Sequence, residues 1–98
     1  MNLEDLRVFL TVADLEHITH AAQVLGVSQP AVTKTVQRLE SETHHTLVTP
    51  QGRGIVLTHQ GKIVRHFARQ IFAIESKLEH VLQEQQPDAS RVVEGKPR

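Results

Sequence analysis

Apolar residues recur three and four positions apart from the start of the chain. Leu6, Phe9, Leu10 and Ala13 share one face of a helix predicted from about Leu3 to Leu15, with Asn2 placed to cap it. Ile18, Ala21, Ala22 and Leu25 repeat the spacing over a shorter stretch, and the two alanines are small enough for a neighbouring backbone to approach. Gly26 follows, where a helix stop uses positive φ, and Val27 is expected to plug the corner. Ser28 then offers a capping hydroxyl, and Pro30 sits in a first turn, where its missing N–H costs nothing. Along the next helix Val32, Val36 and Leu39 fall together on an inward face, and Glu40 and Glu42 close the segment.

Periodicity then changes. The β-branched Thr46, Val48 and Thr49, with Pro50, Gly52 and Gly54, read as a short strand and turn, and Ile55-Val56-Leu57 as the returning strand. From Thr58, a good cap, a long helix runs to about Glu84. In it Val64, Phe67, Ile71, Ile74, Leu78 and Val81 alternate by three and four, the spacing of a coiled-coil seam. Ile63, Ala68 and Phe72 widen the apolar surface, so part of this helix packs on its own domain while the seam meets a second copy of the chain. The unit has too little other apolar surface to cover such a length. Gln83 to Gln86 and then Pro87 end the helix, and the remainder has no apolar period. The predicted fold is mostly α. A winged helix-turn-helix of three helices and a two-stranded wing occupies residues 1–57, a dimerisation helix residues 58–86 and a disordered tail residues 87–98.

The chemistry lies on the outer face of the helix that follows Ser28. Pro30, Lys34, Gln37 and Ser41 fall along one line, flanked by Gln29, Thr33 and Arg38. Lys bonds guanine O6 and N7, Gln bonds adenine, Thr donates or accepts, and Pro or a Thr methyl touches a thymine methyl. Gln29, Pro30, Thr33, Lys34 and Gln37 are therefore the expected base contacts. Thr19, Ser28 and Arg38 are the expected phosphate contacts, helped by amides at the two helix N-termini. Arg53, at the tip of the wing between two glycines, is expected to meet a phosphate or the minor groove. A polar outer face is common to all surface helices. It points to DNA here because it coincides with the Ala-Ala pair, the Gly turn, the capped Ser-Gln-Pro start and an inner stripe at matching offsets. The alternative is a helical protein-interaction module that dimerises through the long helix and binds no nucleic acid.

Charge modifies this picture without removing it. The 98 residues sum to zero, but unevenly: residues 1–42 hold three basic and six acidic side chains, whereas residues 53–77 hold five basic and one acidic. The basic block thus begins at the wing. Glu4, Asp5, Asp14 and Glu16 cluster around the first helix, which in such a fold faces away from the duplex. There is no Cys, so no disulfide framework or thiolate zinc site is available. Among the seven His, the spacings of His17 and His20, of His44 and His45, and of His59 and His66 match no zinc pattern, and no metal or cofactor is expected. No nucleophile with a base, phosphate-binding Gly loop or acid pair suggests an enzyme. Neither a membrane-length apolar run nor a signal-peptide pattern is present, and a cytoplasmic setting is expected.

Leu3-Glu4-Asp5-Leu6-Arg7-Val8-Phe9, Val12-Ala13, Ile18-Thr19-His20-Ala21-Ala22, Val27-Ser28-Gln29-Pro30-Ala31-Val32-Thr33-Lys34, Arg38-Leu39-Glu40 and Gly52-Arg53-Gly54-Ile55-Val56-Leu57-Thr58 with Gly61 together resemble the N-terminal domain of LysR-type transcriptional regulators. The resemblance runs from Met1 to about the mid-eighties. It implies a bacterial winged helix-turn-helix binding double-stranded DNA, and a linker helix that makes a homodimer on a dyad-symmetric operator, with higher oligomers open to a longer protein. A small-molecule effector is implied only for a further C-terminal domain. This chain departs from the pattern in two places. His17 stands where Ser is usual before the helix, and Thr43-His44-His45-Thr46-Leu47-Val48-Thr49-Pro50 stands where the family reads Leu-Gly-x-x-Leu-Phe-x-Arg.

Overall fold

The computed structural model describes residues 1–85, so the expected tail at 87–98 lies outside the described residues. Helices α1 (Leu3–Leu15), α2 (Ile18–Leu25) and α3 (Gln29–Thr43) are followed by strands β1 (Val48–Gln51) and β2 (Gly54–Leu57) and by helix α4 (His59–Gln85). The strands form an antiparallel hairpin, pairing Val48 with Leu57 and Gln51 with Gly54.

Each helix begins at a side chain that satisfies an otherwise unpaired amide. Asn2 Oδ1 accepts from the Asp5 amide at 2.7 Å, Ser28 Oγ from Ala31 at 3.2 Å and the Thr58 hydroxyl from Gly61 at 3.0 Å. At the unusual His17, imidazole Nδ1 accepts from the His20 amide at 3.2 Å and replaces the hydroxyl cap. The helix ends are left-handed at Glu16 (φ 54°), Gly26 (φ 71°) and His44 (φ 60°). His44 occupies the position where the family pattern has Gly, and it takes a conformation that glycine adopts without penalty.

Two groups of buried side chains hold the helices together. Phe9 and Ala13 of α1 meet Leu39, Leu47 and Leu57, while Val12 of α1 meets Ala21, Ala22, Val32 and Val36. Val48 and Ile55 of the hairpin pack against both groups. Val32, Val36 and Leu39 are buried as the pattern predicts. The inner face of α1 is wider than predicted: Val12 is fully buried and Leu10 only half-buried, because α2, α3 and α4 all pack on this one helix. Val27 is exposed and does not plug the corner. The turn is closed instead by backbone bonds, Val27 N–H to the Ala22 carbonyl and Gly26 N–H to the Gln23 carbonyl.

Helix α4 starts in close contact with the chain that precedes the hairpin. The Thr58 amide donates to the Leu47 carbonyl and the Thr58 hydroxyl to the Thr46 carbonyl. At Gly61 a β-carbon would collide with the Leu47 carbonyl oxygen, so only glycine lets the first turn dock there. Val64, expected in the intermolecular seam, is partly covered within its own chain, where it packs against the core group of Leu47 and Leu57. Phe67, Ile71, Ile74, Leu78 and Val81 remain exposed, and Leu82 joins them.

Candidate nucleic-acid interface

Burying Val32, Val36 and Leu39 turns the opposite side of α3 to solvent. Gln29, Pro30, Thr33, Lys34 and Gln37 share one open, shallow surface along its outer face. The five expected base contacts are thus brought together on one surface, with amide, hydroxyl, ammonium and apolar groups side by side. Among the described residues Lys34 makes no ion pair, so its charge is available to an anion or a base edge.

The expected phosphate contacts fare differently. Thr19, in the first turn of α2, donates its hydroxyl to Gln29 Oε1 at 3.1 Å, tying the two helix N-termini together. Ser28 caps α3 while exposed to solvent, so its O–H can still donate outward. The Arg38 fork is committed to its own domain, with Nε and Nη2 each 2.9 Å from an Asp5 carboxylate oxygen and Nη2 also 3.3 Å from the Thr35 hydroxyl. Only the rest of the guanidinium is left to face a phosphate, and its first role is to join α3 to α1. Asp5, one of the acids clustered on the first helix, is itself buried. The Arg38 hydrogen bonds hold its carboxyl below the usual carboxylate range, against the opposing push of burial.

Arg53 is exposed at the hairpin tip, with Gly52 at φ 60° before it. Gly54 serves packing: a β-carbon there would lie 2.6 Å from the Glu16 carbonyl, which accepts from the Ile55 amide at 3.0 Å. Glu40 has a part that pattern reading missed. Its Oε2 accepts from the Leu47 and Val48 amides at 2.8 and 3.3 Å, so a carboxylate on α3 fixes where the first strand departs. Neither Asp5 nor Glu40 has a local signature, since their partners stand 33 and seven or eight residues away. Among the described residues no group of three or more His, Asp or Glu side chains could hold a metal, and no helix is long and apolar enough to cross a membrane.

A helix-turn-helix with its recognition face open, followed by a two-stranded wing, defines the winged-helix class of DNA-binding domain. Comparison with known proteins narrows the class. The sequence profile of the bacterial regulatory helix-turn-helix proteins of the lysR family matches residues 3–62, and the chain belongs to that family. It is 40% identical over 82 residues to the uncharacterized HTH-type transcriptional regulator YoaU of Bacillus subtilis, and 33% identical over 90 residues to the HTH-type transcriptional activator IlvY of Salmonella typhimurium. These alignments cover 83% and 92% of this chain but only 28% and 30% of the relatives. The relatives are transcriptional regulators, not enzymes. Among solved structures, the CbnR DNA-binding domain in complex with DNA superposes with a TM-score of 0.78 at 30% identity, covering 87% of this chain and 98% of that one. The BenM DNA-binding domain on catB site 1 DNA gives 0.80 at 25% identity, covering 86% and 93%.

Proposed function

We propose that this chain is the sequence-specific DNA-binding part of a bacterial transcriptional regulator, acting in the cytoplasm as a homodimer on an operator with dyad symmetry. The observation that carries the reading is that Gln29, Pro30, Thr33, Lys34 and Gln37 share one open, shallow surface on the outer side of α3. A helix of this width enters the major groove, where those side-chain types distinguish base pairs. In this reading Thr19 and Ser28 position phosphates, Arg38 contributes what its pairing with Asp5 leaves free, and Arg53 meets the backbone or minor groove from the wing. The exposed Phe67, Ile71, Ile74, Leu78 and Val81 form the surface between two copies. A small-molecule effector belongs to a further domain, in the part of the relatives' length that this chain does not span.

Selection of bound sequences from a random duplex pool, followed by electrophoretic shift of the selected and unrelated duplexes at two salt concentrations, tests the proposal. Recovery of a preferred sequence with paired, inverted half-sites is the expected result. Equal affinity for selected and unrelated duplex at both salt concentrations overturns sequence-specific reading.

A further inference from the structure

Helix α4 touches α1 through two ion pairs of opposite polarity. Near the start of α1, Arg7 donates to Glu75 of α4 at 2.9 Å and lies 4.2 Å over the Phe72 ring. Two turns on, Asp14 accepts from Arg69 of α4 at 2.6 Å. Ala68, the neighbour of Arg69 on α4, is fully buried. Pairing Arg7 with Glu75 and Asp14 with Arg69 makes the helices antiparallel across the contact. The two anchors lie about 10 Å apart along α1. Two points so separated fix the direction of one helix axis on another. Sliding or reversing α4 would oppose like charges, so the pattern selects one alignment more than it adds stability.

We infer that Arg7 and Arg69, with Glu75, Phe72 and Asp14, are positioning residues that set the spacing of the two half-sites by fixing the angle of α4 on the DNA-binding unit. The inference rests on the proposed dimeric reading. Its mechanical path is continuous: α3 is locked to α1 by the shared core and by Arg38 on Asp5, and α1 is locked to α4 by the two anchors. The first turn of α4 is held against Leu47 at Gly61, and the exposed Ile74 and Leu78 lie beyond. From Gly61 to Ile74 is about 20 Å of helix, so a tilt of about 10° shifts the far end by about 3.5 Å, close to the rise of one base pair. Small angular freedom in each copy therefore becomes freedom of whole base pairs between half-sites.

The experiment uses duplexes carrying the selected half-site once, or twice at centre-to-centre separations stepped by one base pair. Three chains are compared: the parent, the double variant Arg7→Ala/Asp14→Ala, and the exchanged Asp14→Arg/Arg69→Asp. The parent should show one sharp optimum. In the double variant the preference for the best spacing over its neighbours should fall about three- to tenfold, the scale of two exposed ion pairs and one cation–π contact. Its affinity for the single half-site should stay within about twofold of the parent. The exchanged chain should regain the parent's profile. An unchanged profile in the double variant overturns the inference, as does a parallel loss of single-site affinity, which would mark a general structural defect. A parent that gains nothing from a second half-site at any spacing overturns the dimeric reading instead, and the inference with it.

Discussion

Two cations of the interface are predicted to differ in kind. Lys34 projects from the outer face of α3 and makes no ion pair among the described residues, whereas Arg53 sits at the hairpin tip. Lys34→Ala should cost about 1–3 kcal/mol on the selected duplex and relax base preference there, leaving unrelated duplex little affected. Arg53→Ala should weaken both duplexes alike and flatten the salt dependence by about one unit of slope. Titration of both DNAs at several salt concentrations separates the two, and equal behaviour of the variants removes the distinction. Asp5 belongs to the same scale. Its carboxyl is held below the usual range by Arg38, so the pair's contribution is complete above the ordinary value of 3.8 and is lost as pH falls through the depressed folded value. Asp5→Ala should lower stability by about 1–3 kcal/mol near neutral pH. The gap between parent and variant in denaturant unfolding should persist down to about pH 5 and close in more acid solution. A gap that widens on acidification would contradict this sign.

At the scale of elements, the ends of the helices carry most of the departures from pattern. His17 caps α2 through a ring nitrogen, and this needs the neutral tautomer with its proton on Nε2. His44 ends α3 in the left-handed region that its Cβ disfavours. The bend there is enforced by its surroundings, since the His45 amide returns to the Glu40 carbonyl and the Glu40 carboxylate holds the Leu47 and Val48 amides. His44→Gly should therefore stabilise the fold, by about 0.5–1 kcal/mol after the greater freedom of glycine in the unfolded chain is subtracted. Thermal unfolding of the two chains measures this, and a lower melting temperature for the variant would show that the imidazole contributes more than the strain costs.

For the whole molecule, the decisive surface is the far half of α4. Ile74 is two-thirds exposed and Leu78 more than half, which no contact within one chain relieves among the described residues. Ile74→Glu should leave the winged unit folded, because this side chain lies outside both core groups. It would place a charge against its own symmetry mate in the proposed dimer. Sedimentation should then show a monomer where the parent sediments as a dimer, and affinity for paired half-sites should fall toward that for one. If parent and variant sediment alike, this face is not the interface between copies.

Most of the proposed recognition surface follows from local pattern, because a helix of fixed pitch turns Gln29, Pro30, Thr33, Lys34 and Gln37 outward once Val32, Val36 and Leu39 face the core. Helix starts at Asn2, Ser28 and Thr58 and the hairpin between Val48 and Leu57 are equally local, resting on caps and turns of a few residues. Tertiary structure alone decided which charged residues are available. Arg38, expected to face a phosphate, is paired with Asp5, 33 residues away, and Arg7 and Arg69 likewise pair with carboxylates 68 and 55 positions distant. It also divided the apolar face of α4, drawing Val64 into the domain and leaving Ile74 outside. Periodicity reports that a side chain avoids water, and carries no information on which distant surface will cover it.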